Sequence, residues 1–283
     1  MENLLEIVWD AVLDALKTLP FLLGAYLLIE FLEHRASQRL TRTLARLGPL
    51  GPLGGAALGC VPQCGFSVAA ANFYAGGLIT PGTLLAVFLA TSDEALPILL
   101  SRPDSLGSLG RLLGVKFAAG ALVGIGVDLI AVHILRHREK VPFHDLCEDC
   151  GCDEKGVFRS ALTHTVKVFA FLLLVNLLLN CAIHLVGEES ISRLLLSGSW
   201  LQIPLAGLIG FIPNCAASVI LTELYLGGSL SFGAAVAGLS TGAGLGLAVL
   251  FRVNKNLKEN LCLLGILYVA AVLTGTLCQF LFP

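Results

Sequence analysis

Charged residues are scarce in this sequence of 283 residues. Asp, Glu, Lys and Arg make up 13% of it, whereas soluble domains carry roughly 25%, and the mean hydropathy is +0.85. A water-soluble globule and a disordered chain are both excluded, because disorder requires low hydrophobicity and high charge. Since about 18 or more largely apolar residues are typical of a membrane span, the sequence predicts an all-α protein that crosses a membrane several times. The three longest stretches without a charged residue are Leu47–Ser92, Leu194–Thr222 and Leu224–Phe251.

Several motifs are missing, and each absence excludes a class of function. The chain has no Gly-rich phosphate loop of the GxxxxGK[ST] type, so ATP is not expected to drive it. It has no basic patch interleaved with aromatic residues, so nucleic acid is not an expected partner. It also lacks haem and flavin motifs, and we expect neither an enzyme nor a bound cofactor. The first residues are acidic rather than basic, so the N-terminus is not expected to be a cleavable signal peptide.

A comparison of the two halves of the chain shows an internal repeat. When the chain is shifted by 151 residues, two 28-residue stretches align without a gap and share ten identities. Several of these fall on Gly, Pro and Cys rather than on interchangeable aliphatic residues, which argues for a true duplication. The shared residues in the first half are Gly59, Pro62, Cys64, Ser67, Val68, Tyr74, Gly76, Gly77, Gly82 and Ala86.

Each half is predicted to contain a long helix, an apolar segment interrupted by Gly and Pro, and two further spans. The interrupted segments cannot cross a hydrocarbon core of about 30 Å twice as full helices. Each is therefore one broken crossing or a re-entrant hairpin of two short helices, which gives about 10 helical segments in the second case. In chain order, the predicted segments are 12–33, 49–76, 80–100 and 112–135, then 163–186, 200–226, 231–251 and 261–281.

The positions of the basic residues favour the hairpins. With hairpins, each half makes an odd number of crossings, and the halves are inverted repeats. The loops 34–48, 136–160 and 252–260 then share one side and hold 12 Lys and Arg, against three on the other side. Because positive charge marks the cytoplasmic side, both termini are predicted to lie outside, in a bacterial cytoplasmic (inner) membrane protein.

Each interrupted segment carries a proline, an amide and a cysteine in the same order. Proline removes a backbone donor, and the carbonyl groups that lose their helical partners are tolerated in a membrane where they line a cavity. Symmetry would bring the two tips together, where thiols select soft ions and where amides and carbonyls suit harder cations. The alternative is that the cysteines are packing residues. The predicted substrate-binding residues at the tips are Gln63, Cys64, Asn214 and Cys215, with Cys60 as a further metal ligand.

Carboxylates inside apolar spans are costly and indicate function. Asp93 and Glu94 have Gly244 and Leu245 as repeat partners, so the fold does not require them, and we predict that they bind substrate and couple transport to protons. Asp128 is a second candidate for proton coupling.

Two alternatives accompany these carboxylates. A structural pairing of Asp128 with Lys116 or Lys167 is an equal alternative to a coupling role. Glu223 follows the second tip by two turns and could reach the substrate pocket.

The central loop holds three of the nine cysteines within six residues. They are Cys147, Cys150 and Cys152, and His144 precedes them. Clustered thiols with a nearby His are typical of a soft-metal binder, although the second CxxC of a structural zinc site is missing. The alternative is a solvated acidic linker. The predicted divisions are a first membrane repeat (1–135), this cytoplasmic loop (136–160) and a second membrane repeat (161–283).

Four motifs also resemble those of a known family. The chain is similar to the ten-transmembrane heavy-metal exporters, which are also described as arsenic-efflux-like permeases and as manganese transporters. The resemblance implies ten helices and metal export, and members carry a His- and Cys-rich central loop that is short and mainly Cys-containing here. The motifs that carry it are PQCGFS (62–67), TSDEALP (91–97), PNCAAS (213–218) and VNKNLKEN (253–260).

The sequence therefore predicts a secondary transporter that exports a heavy-metal or metalloid ion in exchange for protons. Thiols favour arsenite or another soft ion as substrate, whereas carboxylates and amides favour manganese or another divalent cation. A membrane thiol oxidoreductase using Cys60 and Cys64 is the alternative from another class, although the usual redox spacing is CxxC. The expected partners are the ion, protons and the lipid bilayer, and the pattern leaves open whether the chain forms a homo-oligomer.

Overall fold

The computed structural model describes residues 50–62, 64–92, 95–100, 106–134 and 200–282, together with individual helical positions between 12 and 27 and between 158 and 177. These residues form helices and connecting turns without a strand, which confirms the all-α class. Seven of the predicted site residues lie outside the described residues: Gln63, Asp93, Glu94, His144, Cys147, Cys150 and Cys152.

The described helices repeat along the chain. Those of the first half are α1 (Gly51–Gly59), α2 (Cys64–Ala75), α3 (Pro81–Ala90), α4 (Ala95–Leu100) and α5 (Leu106–Ile134). Those of the second half are α6 (Gln202–Gly210), α7 (Cys215–Leu226), α8 (Phe232–Thr241), α9 (Leu245–Val253) and α10 (Leu257–Leu281). Both bounds of α6, α7 and α8 lie 151 residues after those of α1, α2 and α3, so the sequence repeat is also a structural repeat.

α3 and α8 begin after the same kind of turn. Gly77 and Gly228 have φ angles of 69° and 73°, a left-handed conformation that Gly adopts without a steric penalty. Thr80 and Ser231 follow as N-caps, and their hydroxyls accept hydrogen bonds from the N–H three residues later, at 3.1 Å and 3.3 Å. Such caps provide an acceptor for a helix N–H that has none within the helix, and they fix where both helices start.

The first interrupted segment is a re-entrant hairpin. α1 runs parallel to α3, because Gly51 at its start lies against Thr83, whereas Gly59 at its end lies against Val87 and Ala90. The nine residues of α1 extend only ~13.5 Å. Since α3 starts on the side where α1 started, α2 must bring the chain back from the tip to that side.

The second interrupted segment has the same geometry. The Gln202 side chain, at the start of α6, donates to the Ser229 carbonyl at 2.9 Å and accepts from the Ser231 N–H at 3.2 Å. At the other end of α6, Gly210 lies against Gly238 and Thr241 near the end of α8. α6 and α8 are therefore parallel, and α7 returns the chain as α2 does.

The spans predicted to be continuous at 80–100 and 231–251 are each broken near the middle, so that expectation was wrong. The helices on either side of the two gaps end at Ala90 and Thr241 and resume at Ala95 and Leu245. In the second repeat the gap contains Gly242 and Gly244, which disfavour a helix interior. In the first repeat, Pro97 has no N–H to continue a helix from before the gap, and its position in the first turn of α4 is one that Pro tolerates.

α5 crosses back beside the broken span α3–α4. Gly82 at the start of α3 contacts Gly124 and Asp128, whereas Lys116, farther towards the start of α5, bonds to Thr91 just beyond the end of α3. α5 is thus antiparallel to α3. Its 29 residues extend ~43 Å, which is enough to cross the membrane.

The contacts between α2 and α9 show that the two repeats are inverted. Gly246 at the start of α9 lies against Ser67 at the start of α2, and Tyr74 near the end of α2 donates to Glu259 in the first turn of α10, six residues after α9 ends. α2 and α9 therefore run in the same direction. Because α2 returns to the side where α3 begins, whereas α9 leads away from the side where α8 begins, α3 and α8 start on opposite sides. The predicted inverted repeats are confirmed.

The helices differ in how much of their surface the protein covers. Three described segments are long and apolar enough to cross a membrane: Gly107–Ile130, Phe232–Val253 and Leu257–Leu281. Of the most apolar 18 residues in Phe232–Val253, 83% are buried inside the protein. The corresponding share is 28% in Gly107–Ile130 and 33% in Leu257–Leu281. α8–α9 is therefore central, and α5 and α10 present apolar side chains such as Leu122 and Leu273 outward, as helices facing lipid do.

Candidate transport site

The two broken spans meet at a buried lysine. Lys116 of α5 is fully buried, and its ammonium group donates to the carbonyl oxygen of Thr91 and, at 2.7 Å, to that of Leu239. These carbonyl groups lie at the C-terminal ends of α3 and α8 and belong to different repeats. The ten residues of α3 extend ~15 Å, so the lysine lies about that distance from the start of α3.

Both hairpin tips reach the point where the two broken spans meet around Lys116, which we call the crossing. A methyl group at Gly59 would lie 2.5 Å from the Val87 carbonyl oxygen and 2.8 Å from the Ala90 Cβ, so the first tip rests on the end of α3. The Thr241 hydroxyl at the end of α8 donates to the Gly207 carbonyl at 2.7 Å and holds α6 at its side. Four interrupted segments, two from each repeat, thus end around one point.

Cys60 is the predicted ligand whose position is described most fully. It is the C-cap residue of α1, is partly exposed, and packs against small residues of α1, α3 and α5: Ala56, Ala86, Ala90 and Ala121. Its thiol lies within electrostatic range of the Lys116 ammonium. The structure therefore brings Cys60 to the crossing, although the second repeat has Phe211 in its place.

The paired tip residues are described only in part. Asn214 is buried, its N–H donates to the Ile212 carbonyl at 2.7 Å, and its carbonyl accepts from the Ala217 N–H at 3.3 Å. Cys64 and Cys215 are the first residues of α2 and α7 and thus begin the return arms of the hairpins. Their side chains lie outside the described part of the structure, so a shared pocket of two thiols remains a prediction.

Asp128 lies at the other end of α3, away from the crossing. Its carboxylate accepts hydrogen bonds from the Thr80 hydroxyl at 2.6 Å and from the Gly82 N–H at 2.8 Å, which stabilises the start of α3 because a helix N-terminus favours negative charge. The alternative pairing with Lys116 was wrong: twelve residues along one helix separate the two side chains by ~18 Å. A role for Asp128 in proton coupling remains a prediction.

Glu223 is exposed on α7, eight residues after the first residue of that helix. This distance corresponds to ~12 Å along the helix axis. No described contact tests whether the Glu223 side chain reaches the substrate pocket, so this role also remains a prediction.

The described part of the site is a set of backbone oxygens around one ammonium group. Among the described residues, no three His, Cys, Asp or Glu side chains are clustered as metal ligands would be. Main-chain carbonyl oxygens suit hard cations, whereas thiolates suit soft ones. The donor set around Lys116 is therefore of the harder kind, with the Cys60 thiol nearby as a soft donor.

Sequence reasoning missed two features of this site. Lys116 was considered only as a partner for Asp128, although the rule that marks ionisable residues inside a membrane as functional applies to it as well. The breaks after α3 and α8 were also missed, and the glycine pair Gly242 and Gly244 was the available sign of the second one.

Comparison with known proteins supports the same class of protein. No curated protein and no solved structure matches the chain. Residues 157–281 match the model of the family described as "Putative, 10TM heavy-metal exporter". This range spans all the described helices of the second repeat, so the family resemblance predicted from the motifs is confirmed for that half of the chain.

Proposed function

We propose that the protein is a secondary transporter that exports a heavy-metal or metalloid ion. The observation that carries this proposal is the convergence of two hairpin tips and two helix breaks, from inverted repeats, around Lys116. Transporters built from inverted repeats bind their substrates where interrupted helices meet near the midplane. The family match over residues 157–281 supports the same class of cargo.

Two classes of ion suit the donor atoms of the proposed site. The thiols of Cys60, Cys64 and Cys215 favour arsenite or another soft ion, whereas Asn214 and the carbonyl groups favour a divalent cation such as Mn²⁺. Soft-metal or metalloid export is the first candidate, because the sequence repeats the Pro-x-Cys tip in both halves. Export of a divalent cation is the second, and the carbonyl oxygens of Thr91 and Leu239 at the crossing favour it.

We propose that protons drive the export. Asp93 and Glu94 directly follow Thr91 and Ser92 in the chain, and the Thr91 carbonyl accepts a hydrogen bond from Lys116 at the crossing. Ionisable residues at membrane depth are typical of proton relays. In the proposed orientation, both termini lie outside the cytoplasmic membrane, and the loop with Cys147, Cys150 and Cys152 captures metal on the cytoplasmic side without being part of the transport path.

The experiment that tests the function is a panel of ions in two assays. The chain is expressed in a metal-sensitive bacterial strain, and growth is scored against arsenite, Mn²⁺, Zn²⁺, Cd²⁺ and Co²⁺. The purified protein is then assayed in proteoliposomes for flux of the same ions under an imposed pH gradient. We expect resistance and pH-driven flux for one class of ion, and the absence of both for every ion would contradict the proposal.

The same purified protein can be used to test the alternative function, a membrane thiol oxidoreductase. Cys60 and Cys64 flank the first tip, and a disulfide exchange between them should be detectable by alkylation after oxidation. A redox enzyme would lose activity with either Cys60→Ser or Cys64→Ser and would show no ion flux. Ion flux that persists when both thiols are reduced favours the transporter.

A further inference from the structure

Ser240 has a buried hydroxyl without a partner in the described part of the structure. Its side chain is fully buried near the end of α8, and its oxygen forms no hydrogen bond with a described residue. A buried hydroxyl without a partner is costly, so proteins satisfy such groups with their own atoms, with water or with a ligand. The Ser240 hydroxyl therefore indicates a binding partner that the described residues do not provide.

Other hydroxyls on the described helices are satisfied by their own backbone. Thr91, Thr222 and Thr274 each donate to the carbonyl oxygen four residues earlier, at 2.7 Å in all three cases. This bond is a common one for Ser and Thr in apolar helices. Ser240 does not make it to Val236, so its hydroxyl stays available to a group outside α8.

Ser240 lies at the crossing. The residue before it, Leu239, gives its carbonyl oxygen to Lys116 of α5, and the residue after it, Thr241, donates to Gly207 of α6. The gap between α8 and α9 begins two residues later. Transporters built from inverted repeats bind their substrates where such interrupted helices meet.

The first repeat shows that the fold does not need this hydroxyl. The residue equivalent to Ser240 is Leu89, which is fully buried in an apolar cluster that also contains Leu267 of α10. Leu267 is in turn the equivalent of Lys116. One pair of equivalent positions is thus apolar, whereas the other pair consists of a serine and a lysine. Because leucine satisfies the packing, the polar pair at the crossing points to a role in binding.

A hydroxyl recognises oxygen groups better than it binds a bare metal ion. It has one donor and two acceptor lone pairs, so it can donate to, or accept from, a second hydroxyl or a water molecule. α8 contains no carboxylate, thiol or imidazole, which are the side chains that ligate metal ions directly. Two kinds of ion bring oxygen ligands of their own: a metalloid hydroxide such as arsenite, and a hard divalent cation that keeps part of its water shell.

We propose that Ser240 binds the transported ion through an oxygen atom that the ion carries, either a hydroxyl group of a metalloid or a water molecule on a divalent cation. The inference rests on the proposed export function and adds a binding residue on α8. The Ser240 hydroxyl donates to that oxygen or accepts from it. The residue thereby selects ions that enter the site with oxygen ligands.

Ser240→Ala in the full-length purified protein separates binding from structure. Without ions, its melting temperature in detergent should equal or exceed that of the wild type, because the substitution removes a costly group without a partner. Its affinity for arsenite, for Mn²⁺ or for both should fall about three- to tenfold, the usual contribution of one hydrogen bond. The ion that is affected shows which oxygen Ser240 binds. Thr276→Val is the control and should keep wild-type affinity, because the Thr276 hydroxyl already bonds to the Val272 carbonyl.

Ser240→Cys adds a readout that a structural role would not produce. A thiol beside the bound ion should react severalfold more slowly with a small alkylating reagent when arsenite or Mn²⁺ is saturating. Mass spectrometry of the modified peptides locates the reaction. The native Cys262, exposed on α10, is the internal control and should react equally fast with and without the ions.

The outcomes separate this inference from the proposed function. Unchanged affinity of Ser240→Ala for both ions, in a wild type that transports an ion of the panel, would overturn the inference alone. A lowered melting temperature with unchanged affinity would identify Ser240 as a structural residue. A wild-type protein that moves no ion of the panel would contradict the export function and this inference with it. If the cysteine variant fails to fold, the affinity of Ser240→Ala still decides.

Discussion

The first and second repeats share their backbone but not their chemistry. α1, α2 and α3 have the same lengths as α6, α7 and α8, and the ends of α1, α3, α6 and α8 meet at the same crossing. Nevertheless, ionisable residues of the first repeat have neutral or apolar counterparts in the second. The pairs are Cys60 and Phe211, Asp93 and Gly244, Glu94 and Leu245, Lys116 and Leu267, and Asp128 and Gln279.

This difference separates the residues that build the fold from those that give it a function. What both repeats retain, such as the tip prolines and the turn glycines Gly77 and Gly228, is what the hairpins need. What only one repeat has is not needed for the backbone, because the other repeat forms the same helices without it. The family match falls on the repeat with fewer ionisable residues, so it bears on the architecture more directly than on the chemistry of the site.

The predicted orientation gives a complete difference in labelling between the segments before and after α5, at Ser105 and at Lys155 of the central loop. A membrane-impermeant maleimide applied from outside should label Ser105→Cys and should not label Lys155→Cys until the membrane is opened. The physical reason is the concentration of 12 Lys and Arg on the predicted cytoplasmic side, together with the single crossing made by α5. The parent protein gives the background of native cysteines. Labelling of Lys155→Cys alone would show that the orientation is reversed.

The paired tip cysteines should be equivalent if both line the pocket. Cys64→Ser and Cys215→Ser are each expected to lower ion flux by at least about tenfold in proteoliposomes, because a hydroxyl is a poorer ligand for soft ions than a thiolate. Cys262→Ser, at an exposed position of α10, is the matched control and should keep full flux. Normal flux in both tip variants would identify the thiols as packing residues, and loss in only one would show that the repeats differ here too.

Neither hairpin tip should tolerate a side chain at the glycine that lies against the neighbouring helix, and the loss of stability should be similar in both. Gly59→Ala and Gly210→Ala are each expected to destabilise the protein by about 1–3 kcal/mol through overpacking, since each new methyl group would meet a backbone carbonyl oxygen. The measurement is the melting temperature in detergent. Gly54→Ala is the control, because no atom lies within 4 Å of a methyl group there, and it should be neutral or slightly stabilising. Equal melting temperatures for all three variants would mean that the tips do not rest on α3 and α8.

The smallest expected effect is the difference in stability between a substitution of Asp128 and the same substitution of its counterpart Gln279. Asp128→Ala should lower the stability by about 1 kcal/mol, the usual cost of a lost helix cap, because the Thr80 hydroxyl and the Gly82 N–H lose their acceptor. Gln279→Ala should cost less, because the Gln279 side-chain oxygen is buried without a partner among the described residues. Melting temperatures of the two variants test the order. If Asp128→Asn also keeps the pH dependence of flux, Asp128 serves the helix start and not proton coupling.

Much of the fold could be predicted from the chain because its constraints are local. The proline and glycine positions of the tips and turns act on the backbone within a few residues, and the repeat made each of them visible twice. The hairpins and their inversion followed from the number of crossings and the side of the basic loops. The break after α3 could not be predicted in the same way, because the residues around Thr91 and Ser92 are compatible with a continuous helix as well as with a gap.

The sequence by itself determined the all-α membrane class, the duplication and the two hairpins, because apolar length and Pro and Gly positions restrict the backbone locally. Only the tertiary structure decided which polar groups meet. Lys116 is separated from Leu239 by 123 residues, and no local pattern relates them. Their contact arises because inverted repeats place the ends of two broken helices at one depth, where a buried ammonium group needs carbonyl oxygens from both.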